Sequence, residues 1–207
     1  MTRRIAAVLA IASATGGAPP GIDRGLFGRA LVEDTADLLE ELAECECAVV
    51  ASPPEYADEL RPFLWASTPL VAIDAGDTAA TTLAALAAIH ALGADHAVVV
   101  AGDAPDLPGL LVGKLFSALT GADVAICPAG AGLVALGARL PVARWLAGAG
   151  VGLDTPDAHG RLAGAAPDSA ALVVTAGWHR LRTPADIGAL DYGLEGWDIT
   201  RALLGGY

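Results

Sequence analysis

The sequence predicts an α/β fold, a three-layer α/β/α sandwich around a mixed, mostly parallel sheet. Short apolar runs alternate with longer segments whose apolar residues recur at helical spacing, which is typical of successive βαβ units. The runs are apolar at nearly every position, as in Ala97–Ala101, which indicates strands buried on both faces. Both observations favour a sheet that is covered by helices on its two sides.

The first half of the chain is predicted to alternate strand and helix, beginning and ending with a strand. A loop rich in glycine and proline, residues 13–24, follows the first apolar run, and leucines at helical spacing then define the first helix. Two prolines after Ser52 end the second strand because proline lacks an amide donor. The predicted elements, in order, are Ile5–Ile11, Phe27–Leu42, Ala48–Ala51, Pro54–Leu64 and Leu70–Ile73.

The second half continues the alternation, with clear signals at the ends of its first helices. Asp77 or Thr78 is the expected N-cap of an alanine-rich helix that ends at Gly93. The next helix is predicted to begin at Pro108 and to end near Gly121. The predicted elements, in order, are Ala79–Leu92, His96–Ala101, Pro108–Leu119, Val124–Cys127, Leu133–Leu136, Ala171–Thr175, Pro184–Leu190 and Asp198–Leu204.

Length and composition limit the organisation and the partners of the protein. The 207 residues predict one domain, 1–207, in which the loose stretch 148–168 is a candidate flap or insertion. The chain has 24 acidic and 12 basic residues and a single lysine, Lys114, which argues against binding to a nucleic-acid backbone. No apolar run approaches the 18 or so residues of a membrane span, so we expect no membrane partner.

The N-terminus and the cysteines each allow two interpretations. Arg3-Arg4 before the apolar run resembles a short secretory signal, but later elements need this run as a first strand, so we expect a cytoplasmic protein. Cys45-Glu46-Cys47 could be half of a metal site, but no second Cys/His pair at zinc spacing accompanies it. Cys127 is the third cysteine, and an odd number this small provides no disulfide framework.

The strongest candidate for chemistry is the turn after the strand His96–Ala101. Open α/β sheets bind ligands at the carboxyl ends of their strands, and Asp103 lies two residues beyond Ala101. A carboxylate there can hold Mg²⁺, which prefers oxygen ligands and usually bridges to substrate phosphates. The alternative is that Asp103 and Asp106 are only turn and helix-capping residues.

This turn also carries a resemblance to a known family. Asp103-Ala104-Pro105-Asp106-Leu107 resembles the Asp-x-Pro-x-Leu turn of glycosyltransferase-A-type nucleotidyltransferases. These include molybdenum-cofactor and 2-phospholactate guanylyltransferases and a glycosyltransferase-like branch. Similar likenesses, which together cover about residues 1–190, are found in Asp123–Pro128, in the glycine-rich Gly130–Gly132 and in Arg182–Ile187.

The resemblance implies a substrate class and a set of site residues. The substrate would be a nucleoside triphosphate or a nucleotide-sugar, and Asp103 would be a ligand to Mg²⁺. Gly16 and Gly17 of the first loop would approach the nucleotide, and Arg24 would meet its phosphate. Arg182 belongs to the same expected site; no catalytic residue is assigned, and a homodimer is left open.

Three departures from the family pattern leave two functional hypotheses open. The first loop lacks the family's lysine, Gly130–Gly132 replaces an Asp-Gly-Gly sequence, and Arg182 replaces an acidic residue that can serve as a second metal ligand. One hypothesis is therefore a Mg²⁺-dependent nucleotidyl- or glycosyl-transferase. The other is a catalytically degenerate member that binds a small ligand or a protein partner. Arg182, with Arg180 beside it, predicts weaker metal dependence, and His179 is either a site residue or structural.

Overall fold

The computed structural model describes residues 2–14, 16–74 and 76–205. Within these residues a seven-stranded sheet has the order β3-β2-β1-β4-β6-β5-β7. Strand β6 runs antiparallel to β4 and β5, whereas the other neighbouring pairs are parallel. The strands are β1 (Arg4–Ile11), β2 (Glu46–Ser52), β3 (Leu70–Ala72), β4 (His96–Ala101), β5 (Val124–Ala129), β6 (Gly132–Arg139) and β7 (Leu172–Val174).

Helices cover both faces of this sheet, which confirms the predicted three-layer architecture. Helices α1, α2 and α4 pack on one face, and α3, α5 and α6 pack on the other. The α-helices are α1 (Arg24–Glu40), α2 (Pro54–Leu60), α3 (Thr78–Ala91), α4 (Gly109–Ala118), α5 (Arg144–Ala149), α6 (Ala158–Ala165) and α7 (Asp198–Leu204), and 3₁₀ helices span Arg61–Phe63 and Pro184–Ala189.

The central strands alternate strictly between the two cores. In β4, Val98 and Val100 face one core, whereas Ala97, Val99 and Ala101 face the other. All five are at most 1% exposed, because a parallel strand between two helical layers has no solvent face. The uniformly apolar runs of the sequence follow from this burial.

Local signals set the starts of two helices. Asp77 caps α3 by accepting a hydrogen bond from the amide of Ala80 at 2.7 Å, as predicted, and Gly93 follows the helix with a φ of +95°. Asp23 caps α1 by accepting from the amide of Leu26 at 2.8 Å. Helix α1 therefore begins at Arg24, three residues before the start that its apolar spacing predicts.

Residues 148–168, the candidate flap or insertion, contribute to the core on the sheet face covered by α3, α5 and α6. The segment contains α6, and Val151, Leu153 and Leu162 are at most 2% exposed. It approaches the start of α3 so closely that a Cβ atom on Gly152 would lie 2.0 Å from the carbonyl oxygen of Thr78. Gly152, one of the glycines that predict a loop, therefore permits close packing.

A late segment, residues 177–183, crosses the carboxyl ends of the strands. The amide of Trp178 donates to the carbonyl of Pro128 at 2.9 Å, and the amide of Leu181 donates to the carbonyl of Asp103 at 2.8 Å. This late segment therefore joins the end of β5 to the end of β4.

No helix among the described residues is both long and apolar enough to cross a membrane.

Candidate functional site: an arginine–carboxylate cluster

The sheet topology places Asp103 beside the first loop, as predicted. The chain connects β1 to β2 and β3 on one side, then returns to β4 on the other side of β1. Strands β1 and β4 are thus parallel neighbours at a topological switch point, where open α/β sheets form their ligand crevice. The amide of Gly102 donates to the carbonyl of Leu9 at 3.2 Å, which extends this pairing to the turn.

Asp103 is buried and paired with an arginine of the late segment. Its side chain is 2% exposed, and that of Arg180 is 6% exposed. The Nε atom of Arg180 donates to Oδ1 of Asp103 at 2.6 Å, and Nη2 donates to Oδ2 at 3.0 Å. This bidentate geometry is the strongest arrangement available to an arginine and a carboxylate.

A second carboxylate lies on the other side of the same guanidinium. Nη1 of Arg180 donates to Oδ1 of Asp154 at 2.6 Å and to the carbonyl of Leu133 at 3.0 Å. Burial opposes the charge of Arg180, but Asp103 and Asp154 outweigh that penalty and raise the pKa of the guanidinium. Arg180 is therefore a fixed cation between two carboxylates.

Arg182 completes a cluster of four charged side chains, which we call the arginine–carboxylate cluster: Asp103, Asp154, Arg180 and Arg182. Nη1 of Arg182 donates to Oδ1 of Asp154, and its Nε lies 3.9 Å from Oδ2 of Asp103. The side chain of Arg182 remains 50% exposed, whereas Arg180 is enclosed. The turn that bears Arg182 therefore does face Asp103.

Sequence reasoning missed Asp154. Its position is set by α3, because its amide donates to Oγ1 of Thr78 at 3.1 Å and the neighbouring amide of Leu153 donates to Oγ1 of Thr82 at 3.2 Å. The sequence carries no local signal for this contact. Thr78 lies 76 residues before Asp154 along the chain, and the glycines around Asp154 are typical of a loop.

Two cavities adjoin the cluster. An enclosed cavity of about 10 Å³, the size of a water molecule, lies toward β1, α1 and α3. An open cleft of about 500 Å³ lies on the other side, toward the hairpin between β5 and β6. We call it the arginine cleft, and it is lined by Ala129, Gly130, Ala131, Gly132, Asp154, Pro156, His179, Arg180, Arg182, Thr183 and Asp186.

The predicted nucleotide contacts of the first loop lie against the protein itself. A Cβ atom on Gly16 would lie 2.7 Å from the carbonyl oxygen of Arg182, and one on Gly17 would lie 2.3 Å from that of Leu181. These glycines therefore permit the late segment to pack on the loop. Arg24 is exposed at the start of α1 and lines neither cavity. Nucleotide contacts from Gly16, Gly17 and Arg24 stay predictions.

The residues present do not fit a magnesium ion at Asp103. Both carboxylate oxygens of Asp103 already accept hydrogen bonds from Arg180. Among the described residues, no group of three or more His, Cys, Asp or Glu side chains could hold a metal ion. Burial raises the pKa of the Cys45 thiol to about 11.

The second aspartate of the turn anchors the late segment and does not cap the next helix. The carboxylate of Asp106 is completely buried and accepts from the indole of Trp178 at 3.3 Å and from the amide of Asp191 at 2.9 Å. Nε2 of His179 lies 2.9 Å from the same carboxylate, and the His179 ring borders the arginine cleft. Pro108 is the N-cap residue of α4.

Comparison with known proteins agrees with this architecture. A family model described as a MobA-like NTP transferase domain matches residues 25–177. A nucleotide-diphospho-sugar transferase structure from Desulfovibrio desulfuricans aligns with 100% of this chain and 99% of its own, at 17% identity and a TM-score of 0.70. No sequence among the curated proteins matches.

Two further structures share the fold at low identity. A 4-diphosphocytidyl-2C-methyl-D-erythritol synthase from Anaerococcus prevotii aligns with 91% of this chain and 94% of its own, at 13% identity and a TM-score of 0.66. The Mycobacterium tuberculosis protein Rv0371c, in complex with manganese, aligns over 99% and 98%, at 18% identity and a TM-score of 0.53. At these identities the structures establish the fold.

Proposed function

Because this chain belongs to the MobA-like NTP transferase domain family, we propose that it binds a nucleotide or nucleotide-sugar in the arginine cleft. A single observation carries the proposal, namely the half-exposed side chain of Arg182 at the wall of a cleft of about 500 Å³. That volume lies within the usual range of small-ligand sites. A guanidinium can hold phosphate through two parallel hydrogen bonds.

The charge of the whole molecule favours a local cation at a phosphate site. The net charge is −12, so the overall field repels a nucleotide phosphate. Arg180 and Arg182 balance Asp103 and Asp154 within the cluster, whereas Asp186 adds a further carboxylate to the cleft wall. Arg182 still exposes half of its side chain. The hairpin residues Gly130–Gly132 leave room opposite it because they carry little or no side chain.

The chemistry that this cleft favours is transfer to or from a phosphate. Arg182 would bind the phosphate and would stabilise charge that develops on it during transfer. Arg180 would orient Arg182 through the carboxylate of Asp154, which both guanidiniums share. The catalytic group that activates an acceptor is left unassigned.

Magnesium would enter such a reaction with its substrate. The manganese complex of the M. tuberculosis protein supports the use of a divalent metal by a protein of the same fold. In this chain Arg180 occupies both oxygens of Asp103, so a magnesium ion would be carried by the phosphates of the nucleotide.

A second candidate function is binding without turnover. The bidentate pair between Arg180 and Asp103 favours this alternative. Asp103 is the position that the family resemblance assigns to the metal, and here it is paired with an arginine. Under this alternative the cleft still binds a phosphorylated ligand, but no group transfer follows. A coupled assay for release of pyrophosphate or nucleoside diphosphate distinguishes the two functions once a ligand is known.

A thermal-shift panel of nucleoside di- and triphosphates and nucleotide-sugars tests the binding site. A ligand at about 100 times its dissociation constant stabilises the fold by about 2.7 kcal/mol, which raises the Tm of a domain of this size by about 5–10 °C. We expect such a shift for the wild type and its loss in Arg182→Ala. Arg144→Ala, an exposed arginine that lines neither cavity, is the matched control.

Arg24→Ala in the same panel tests the predicted contact of the first loop. If Arg24→Ala abolishes the shift and Arg182→Ala retains it, the nucleotide binds at the first loop and the proposed cleft is wrong. If no nucleotide shifts the wild type at millimolar concentration, nucleotide binding itself is contradicted.

A further inference from the structure

We propose that the guanidinium of Arg180 replaces a divalent cation at the strand ends, so that the arginine–carboxylate cluster operates without a resident metal. Two carboxylates from distant parts of the chain, Asp103 after β4 and Asp154 between α5 and α6, contact one guanidinium at 2.6–3.0 Å. Carboxylates converging on a single positive centre are the arrangement that a divalent cation otherwise requires. Here the positive centre is part of the chain.

The hydrogen bonds of Arg180 leave little room for an alternative position. Nε and Nη2 are committed to Asp103, and Nη1 is shared between Asp154 and the carbonyl of Leu133. The backbone next to Arg180 is fixed as well, because the amide of Leu181 donates to the carbonyl of Asp103 at 2.8 Å. Withdrawal of the guanidinium would leave a buried carboxylate without a partner, which is strongly unfavourable.

The charges of the cluster balance without a metal. Asp103 and Asp154 contribute two negative charges, and Arg180 and Arg182 contribute two positive charges, the same number as one divalent cation. The two arginines have different roles, because the side chain of Arg180 is enclosed and that of Arg182 is half exposed. Arg180 thus neutralises the carboxylates, and Arg182 is the part that an incoming anion can reach. The expectation that Arg182, with Arg180 beside it, stands in place of a metal contact is refined accordingly.

Removing the guanidinium should convert the cluster into a metal site. In Arg180→Ala the carboxylates of Asp103 and Asp154 are left facing the space that the guanidinium filled, and this space joins the arginine cleft. We expect the variant to gain one Mn²⁺ site with an affinity at least about tenfold higher than any site of the wild type, a difference of about 1.4 kcal/mol. The same site should disappear again in Arg180→Ala/Asp103→Asn.

The experiment is a Mn²⁺ titration followed by the electron paramagnetic resonance of the free ion. The experiment uses no nucleotide, so its outcome is independent of the proposed function. Only the role of Arg182 in binding an anion rests on that function. Arg182→Ala is the matched control, because it removes an arginine of the same cluster but leaves Arg180 in place, and it should gain no such site. Circular dichroism monitors the fold, and Arg180→Gln, which retains more packing, is used if Arg180→Ala does not fold.

Two results would overturn the proposal. One is a Mn²⁺ site in the wild type that Asp103→Asn abolishes, because the metal would then displace Arg180. The other is a folded Arg180→Ala or Arg180→Gln that gains no Mn²⁺ binding. If neither variant folds, the wild-type titration decides, and the absence of a site that depends on Asp103 supports the proposal.

Discussion

The ion pair between Asp103 and Arg180 changes the expected cost of altering Asp103. A turn or capping residue contributes about 0.5–2 kcal/mol. A buried carboxylate that neutralises a buried guanidinium is different, because its removal leaves an uncompensated charge inside the protein. Both side chains are at most 6% exposed. Asp103 is therefore expected to be important for stability whether or not it meets a ligand.

We predict that Asp103→Asn lowers the free energy of unfolding by about 3–5 kcal/mol, because Arg180 loses its bidentate partner in a buried environment. Urea denaturation followed by circular dichroism measures this change. Asp58→Asn, an exposed aspartate on α2, is the control and should stay within about 0.5 kcal/mol of the wild type. A loss below about 1 kcal/mol for Asp103→Asn would show that the pair is not a buried one.

The sequence predicts the position of Asp103 but not its partner. An aspartate after a buried strand is visible in the sequence, and the switch-point rule assigns it to the ligand edge. Arg180 lies 77 residues away, and no periodicity connects the two positions. The family pattern directed attention to Arg182 because that residue precedes Thr-Pro. The packing of the late segment makes Arg180 the enclosed partner instead.

The elements of the sheet were predictable because their burial imposes a period on the sequence. Strand β4 matches its prediction at both ends, and α7 does as well. The late segment has no such period, since its hydrogen bonds go to many separate places, among them Pro128, Asp103 and Asp106. Helix α6 was missed because its glycines are also typical of loops.

At the scale of elements, the packing of the late segment on the first loop predicts the effect of Gly17→Ala. The added Cβ atom would lie 2.3 Å from the carbonyl oxygen of Leu181, so the backbone must shift. We expect a loss of about 1–3 kcal/mol in the free energy of unfolding, measured by urea denaturation.

Gly148→Ala is the matched control for this substitution. Gly148 lies in α5 with no atom within 4 Å of the added Cβ, so alanine should stabilise the helix by about 0.5–1 kcal/mol. If Gly17→Ala were as harmless as Gly148→Ala, the first loop would be free of the late segment and accessible to a nucleotide.

At the scale of the whole molecule, the C-terminal region closes one half of the ligand edge. A third hydrophobic cluster joins α1 to the late segment and to α7, and it contains Phe27, Leu31, Leu181 and the fully buried Trp197. Asp34 of α1 accepts from the amides of Ile199 and Thr200 and so fixes the start of α7. The open half of the edge is therefore the side of the β5–β6 hairpin, where the arginine cleft lies.

The central claim is that guanidinium groups, and not a resident metal, provide the positive charge for a phosphate at this edge. The most direct test is isothermal titration of the wild type with the nucleotide that gives the largest thermal shift, once with Mg²⁺ and once with a chelator. We predict dissociation constants within about threefold of each other. Arg182→Ala should weaken binding about 10–100-fold in both buffers, since it removes a charge-assisted hydrogen bond. Binding that is present with Mg²⁺, lost with the chelator and retained in Arg182→Ala would contradict the claim.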